Sequence, residues 1–171
     1  MIKNFKKREG QVIVESIIAI TIALVGVLSV FTLLNKSLSS NVFVADQYIA
    51  SNLAAEGIEI IKNLIDSNVK QGLAWNTGIG IGNFKIDYND KVLTDYDPAS
   101  HEKLKMDSAT GIYSYGGDTE TKYERNISIS QNKVGDSEGN DEIVVTSTVL
   151  WSGQGGSEFD VRLEDHFFNW R

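Results

Sequence analysis

Apolar residues run without a polar face from Val12 to Leu34, and within that run only Glu15 carries a charge. The small Gly26 and the hydroxyls of Ser16, Thr21, Ser29 and Thr32 are its other interruptions. About 20 apolar residues suffice to cross a hydrocarbon core as a helix, whereas a soluble core helix of this length would show a polar side. Ser and Thr hydroxyls bond back to their own helix backbone, so they do not spoil such a span. The pattern predicts a membrane-spanning helix.

The period continues beyond a polar patch, Ser37 to Asn41. Val42, Ala45, Ile49, Leu53, Ile60 and Leu64 recur at helical spacing, with Tyr48, Ala55, Ile58 and Ile61 widening the stripe. Asp46, Gln47, Asn52, Glu56, Glu59 and Lys62 fall between them and are expected on a solvated face. No Pro occurs between Met1 and Asp97, so one helix is predicted from about Gln11 to Asp66. Gly57 costs about 1 kcal/mol in a helix interior relative to Ala. The return expected for it is a close approach by another backbone.

Turn residues then replace the helical period: Gly72, Asn76, Gly78, Gly80 and Gly82. "GIGIG" lacks the Lys-Ser/Thr ending of a phosphate loop and reads as a flexible connector. Period-two segments follow at Phe84, Ile86 and Tyr88, at Leu104 and Met106, and at Ile127 and Ile129. Two more lie at Ile143, Val145, Val149 and Trp151, and at Phe159, Val161 and Leu163. "SGQGG" (Ser152–Gly156) between the last two predicts a hairpin. Without crossover helices the sheet should be antiparallel, with one face packed on the amphipathic half-helix. The expected fold class is α+β, and Trp75, Trp151 and Trp170 are expected to pack in or beside its core.

Charge adds orientation. Lys3, Lys6, Lys7 and Arg8 precede the apolar run and only Lys36 follows it closely, so the N-terminus is expected to stay cytoplasmic. The formal net charge is −7, and without residues 1–10 the body is more acidic still. An acidic body argues against direct nucleic-acid binding, since phosphate affinity comes from Lys and Arg. Cysteine is absent, which excludes disulfides and thiolate sites. Two acidic stretches, Asp87–Ser100 and Gly135–Glu142, offer oxygen ligands but do not fit the spaced calcium loop. They are read as solvated turns; no metal, cofactor or catalytic residue is assigned, and an enzyme is not expected.

The apolar run does not end at the small-residue cleavage pattern of a secretory signal, but in Leu33-Leu34-Asn35-Lys36. The Gly and the cations lie on its other side. That arrangement, "KKREGQVIVE" (Lys6–Glu15), resembles the N-terminus of type IV prepilins and type II secretion pseudopilins. In that family a prepilin peptidase cuts after the Gly and methylates the new N-terminus, and a Glu stands fifth in the mature chain. By this resemblance Gly10 and Gln11 flank the processing site and Glu15 is the assembly residue, its partner being the new α-amine of a neighbouring subunit. The family's first mature residue is most often Phe, where this chain has Gln11. "LAAEGIEIIKNL" (Leu53–Leu64) and the C-terminal "TVLWSGQGG" and "VRLEDHFFNWR" are similar to one pseudopilin and minor-pilin branch. Residues 70–140 carry no such likeness.

The resemblance implies residues 1–10 as leader, 11–41 as transmembrane and filament-core helix, and 42–171 as a pilin-like globular domain with its helix ending near 66. The expected function is that of a structural subunit, minor rather than major, of a type IV pilus or type II secretion pseudopilus. Its expected partners are the prepilin peptidase, other pilin or pseudopilin subunits and the inner membrane, where the single-pass precursor would sit before entering a cell-surface or periplasmic filament. The competing class is a signal-anchored extracytoplasmic binding module that is never assembled.

Overall fold

The computed structural model describes residues 5–133, 141–153 and 155–169. Residues 1–4, most of the acidic stretch from Gly135, Gln154 of the hairpin and Trp170 lie outside the described residues. Helix α1 spans Phe5–Lys70, longer at both ends than the sequence pattern indicates. It passes through Ser39, Ser40 and Asn41 without interruption. The chain divides into two compact units, Met1–Val44 and Ala45–Arg171.

In the first unit every described side chain from Gly10 onward is exposed. The helix here is long and apolar enough to cross a membrane. Its hydroxyls behave as the sequence predicts. Ser16 donates to the Val12 carbonyl at 2.8 Å, Thr21 to Ile18 at 2.8 Å, Ser29 to Val25 at 2.7 Å and Thr32 to Leu28 at 2.9 Å. Between Val12 and Leu34, Glu15 is the polar side chain that these bonds leave out.

In the second unit the rest of α1 packs on an antiparallel sheet of seven strands. The strands are β1 (Gly82–Lys85), β2 (Thr94–Asp95), β3 (Lys103–Met106), β4 (Tyr113–Ser114), β5 (Thr119–Asn132), β6 (Glu142–Ser152) and β7 (Glu158–Phe168). β5 is the organiser. One edge pairs with β3 through its first half and with β1 through its second, and the other edge pairs with β6. β2 and β4 extend the first side, and β7 closes the second. The α+β layout and the β6–β7 hairpin are as the sequence predicts.

Several local expectations are corrected. The buried face of α1 is Asp46, Ala50, Leu53, Ala54, Gly57, Ile60, Ile61 and Ile65. The predicted stripe is therefore rotated: Val42, Ala45, Tyr48 and Ala55 are exposed, Ile49 and Leu64 are half-buried, and Asp46 is inside. The small residues Ala50, Ala54 and Gly57 are buried on this face, and a count of large apolar side chains undervalues them. At Gly57 a Cβ would stand 2.6 Å from Ser147 Oγ and 3.2 Å from Ile127 Cδ1, so side chains of β6 and β5, not a backbone, claim the space. "GIGIG" is more than a connector, because Ile79 enters the core and its carbonyl accepts from Gln131 Nε2 at 3.1 Å. β1 stops at Lys85, leaving Ile86 buried and Tyr88 exposed outside any strand.

The helix stops at Gly72, whose φ of 73° is the left-handed conformation that glycine tolerates. Leu73 N donates to the Asn68 carbonyl at 3.0 Å and Gly72 N to Val69 at 3.1 Å, the paired bonds that cap a helix C-terminus. Asn68 Nδ2 then holds the Trp75 and Thr77 carbonyls, at 3.2 and 2.8 Å, and seats Trp75 against the core.

Two hydrophobic clusters result. One gathers Ile60, Ile61 and Ile65 against Ile79, Phe84, Ile86, Ile127, Ile129, Ile143 and Val145. The other gathers Ala50, Leu53 and Ala54 against Leu104, Tyr123, Val149 and Trp151. Gly57 and Ser147 meet between them. Gly57→Ala should gain about 1 kcal/mol in helix propensity but lose about 1–3 kcal/mol to overpacking, so its thermal midpoint should fall. Adding Ser147→Ala should recover most of the loss, since the remaining Ser147 Cβ lies at 3.4 Å and only Ile127 Cδ1, at 3.2 Å, must still give way. A rise in midpoint for Gly57→Ala alone would show that close approach does not select the glycine.

Candidate functional site

The residues singled out for processing and assembly lie on α1 within two turns of each other. Gly10, Gln11 and Glu15 are all exposed and helical. Gln11 and Glu15 stand four apart on one face, about 6 Å along the axis at ~1.5 Å per residue. Among the described residues Glu15 makes no hydrogen bond and no ion pair. It is a lone carboxylate on an otherwise apolar surface, and its position near one end of the apolar run is where such a charge costs least. Gly10 is surrounded by open space, with nothing within 4 Å of the place a Cβ would take. No packing demand explains that glycine.

Polar groups in the second unit are buried where the sequence pattern does not point to them. Arg125 is fully buried on the side of the sheet that meets α1. Its guanidinium donates to the Ile86 carbonyl at 2.7 Å and to the Leu53 carbonyl at 3.2 Å, and lies 3.4 Å from Glu56 Oε1. Its own carbonyl accepts from Tyr115 Oη at 2.9 Å. Burial pushes the Tyr115 hydroxyl up to about 12, which keeps it a donor. Asp46, inside the helix–sheet interface, lies 2.5 Å from Lys122 Nζ and accepts from Tyr123 Oη at 3.3 Å. Glu124 accepts from Tyr96 Oη at 2.6 Å and approaches His101 Nδ1 at 3.2 Å.

These groups tie segments of the second unit together. Each carboxylate is turned onto a donor from a different element, and burial raises the hydroxyls of Tyr96 and Tyr123 well above their ordinary range. Among the described residues no group of three or more His, Asp or Glu is arranged to hold a metal ion. Three carboxylates of the acidic stretch Asp87–Ser100 are turned onto backbone amides. Asp87 accepts from Tyr115 N at 3.0 and 3.2 Å, Asp90 from Asp87 N at 3.0 Å, and Asp97 from Ala99 N at 2.9 Å. Trp151 is buried in the second cluster, its ring stacked on Phe159 with centroids 5.8 Å apart. A tethering Arg125 was detectable only from the alternation along β5, which places residue 125 on the same face as Ile127 and Ile129.

At the far end of β7, His166 joins three strands. Its Nδ1 lies 2.7 Å from Glu142 Oε1 and its Nε2 3.4 Å from Glu164 Oε1. Glu142 also accepts from Asn132 Nδ2 at 2.9 Å, and Glu164 from Thr146 Oγ1 at 3.1 Å. The bond to Glu142 raises His166, and the same bond lowers Glu142, while Thr146 foremost lowers Glu164.

Two outcomes follow for this unit. Arg125→Ala should cost about 3 kcal/mol or more, through a cavity and a stranded Ile86 carbonyl. Glu56→Gln should cost less than about 1 kcal/mol, because that contact is long and Glu56 is a third exposed. Thermal melts of the two variants compare them, and equal losses would make the ion pair, not the carbonyl ties, the source of stability. The His166 cluster should be pH-dependent in a defined window. His166 is raised, so its contribution is full below its ordinary 6.5 and lost as pH rises through the folded value. Glu142 and Glu164 are lowered, so theirs is present above their ordinary 4.5 and lost as pH falls through the folded values. Hydrogen-exchange protection factors along β6 and β7 should therefore be highest between these limits, and His166→Gln should flatten the profile on its alkaline side.

No family model, no curated protein and no solved structure matches this chain, so no relative supplies a role for Gly10, Gln11 or Glu15.

Proposed function

We propose that the chain is the precursor of a structural subunit, most simply a minor one, of a type IV pilus or type II secretion pseudopilus. The observation that carries this reading is Glu15, a carboxylate without a partner among the described residues, on a helix surface apolar enough for a membrane. A charge at a bilayer centre costs about 2.5–3.5 kcal/mol on insertion scales, and less toward the interface. Intramembrane ionisable groups are accordingly paired, and this chain offers no cation later in the span.

In this reading a prepilin peptidase cuts after Gly10 on the cytoplasmic side and methylates Gln11. The new amine is a cation at the lipid boundary, and it meets Glu15 of a neighbouring subunit as the helices come together. The folded second unit supplies a body to be carried on the helix. The precursor sits in the inner membrane with its N-terminus cytoplasmic.

Mass spectrometry of the native N-terminus tests the proposal. The mature protein should lack residues 1–10 and begin with N-methyl-Gln11. Intact residues 1–10 in cells with an active prepilin peptidase would overturn it and favour a tethered binding module. Glu15→Gln should insert into the membrane normally yet be lost from sheared filament fractions; normal incorporation would remove Glu15 from assembly.

A further inference from the structure

We infer that the outer edge of β7 is a self-association surface, and that its occupant is the β7 strand of a second copy of this chain, running antiparallel about Leu163. This goes beyond the filament reading and does not rest on it. β7 pairs with β6 along its whole length, from Glu142 opposite Phe168 to Ser152 opposite Glu158, and no other described strand joins its far side. It is 11 residues long, without a proline, and its pairing with β6 shows no register shift. Such an edge presents a row of unpaired backbone donors and acceptors, and natural sheets usually shorten, bulge or cover it.

The side chains decide what can lie against it. Asp160, Arg162, Glu164 and His166 are exposed and share one face, while Phe159, Val161, Leu163 and Phe167 are half-buried on the helix side. A two-fold axis through Leu163 sets Arg162 against Glu164 of the second copy and Asp160 against His166 of the second copy, each pair occurring twice. On the helix side it sets Phe159 against Phe167 of the second copy, and Leu163 against itself. Cross-strand pairs of opposite charge and of aromatic rings are the units that stabilise a sheet. Val161 against Asp165 of the second copy is the position at which the symmetry gains nothing.

Register is specified as well as direction. A slip of two residues one way puts Arg162 on Arg162, and the other way puts Glu164 on Glu164. A slip of one exchanges the two faces. A parallel pairing in register sets every charge against its like. Within the chain Arg162 reaches its own Glu164 only at 3.5 Å and His166 Nε2 reaches it only at 3.4 Å, so Arg162 is the least committed of these groups. His166 keeps its 2.7 Å contact with Glu142 through Nδ1 and Glu164 its 3.1 Å bond from Thr146, so the cross-copy pairs use the remaining Nε2 and Oε1. The charges that guard the edge against general pairing are thus arranged to accept their own symmetric copy.

The chain contains no cysteine, so Leu163→Cys places a single thiol on the proposed axis. Full-length Leu163→Cys in mild detergent should form a disulfide-linked dimer on oxidation. Adding Arg162→Glu, or separately Glu164→Arg, should reduce the cross-link on the order of tenfold, because attractive pairs become repulsive twice per dimer. Mixing those two variants should restore it as the mixed dimer, and Arg162→Glu with Glu164→Arg in one chain should restore it as the self-dimer. Cross-linking indifferent to these charges, or absent from a chain whose melt shows it folded, would overturn the inference. The cross-link should persist when Glu15→Gln is added; its loss would assign the contact to α1 and overturn the inference equally. Should Leu163→Cys fail to fold, sedimentation of the natural chain against Arg162→Glu supplies the same comparison, with equal mass for both as the contrary result.

Discussion

The second unit depends on how closely the sheet can come to α1 at Gly57. Hydrogen there instead of a methyl lets Ser147 Oγ and Ile127 Cδ1 occupy space that any other residue would fill. That approach also brings Arg125 within reach of the Leu53 carbonyl one turn earlier on the helix. A guanidinium without such acceptors would be too costly to bury, since an isolated charge in the interior loses its hydration without return. Here it exchanges water for two carbonyls and a distant carboxylate, although its Nε and the Ser147 hydroxyl have no hydrogen-bond partner among the described residues. The seam is therefore a place of positional definition more than of net stabilisation. It fixes which turn of the helix faces which residue of β5, and the clusters on either side inherit their register from it.

The same helix meets two different solvents. From Gly10 to Ala45 its described side chains are all exposed, and the apolar surface from Val12 to Leu34 within that stretch is stable only where the surroundings are themselves apolar. After Ala45 the helix buries one side and keeps Glu59 and Lys62 on the other, with an ion pair of 3.7 Å between them. The change occurs without a proline or a break in hydrogen bonding, so composition alone divides the two regimes.

That division was legible in the sequence, because length, lack of a polar face and the later return of periodicity are strong signals. The sheet's long strands were legible too, through alternation at Ile143–Trp151 and Phe159–Leu163. The exact face of α1 was not. Its contact residues include Ala50, Ala54 and Gly57, whose value lies in being small, beside Leu53, Ile60 and Ile61, which the period does name, whereas Val42, Ala45 and Tyr48 fit the period and stay outside. Asp46 reads as solvated until β5 delivers Lys122 and, from 77 positions away, Tyr123 to it. Strands of two residues, β2 and β4, carry too few positions for alternation to register, and the first half of β5 hides its period among Glu120, Lys122, Glu124 and Arg125. Gly10, Gln11 and Glu15 stand out in the sequence as a spacing, and no described residue of this chain is placed to meet Glu15.

Two unmet demands thus remain at the surface, and they differ in strength. Glu15 in a hydrocarbon environment leaves a charge whose cost is of the order of a few kcal/mol, depending on depth. The edge of β7 is in water, where each backbone group already has a partner and an exposed charge pair contributes only about 0.2–1 kcal/mol. A contact that satisfies Glu15 therefore has a thermodynamic drive of its own, while one along β7 gains mainly by adding several modest pairs in a single register. In the proposed assembly the first would commit subunits to each other, and the second would select which orientation their folded units adopt once they are close. Proximity enforced by a shared membrane raises the effective concentration of the second contact, which is the condition under which weak, well-registered edge pairing becomes populated.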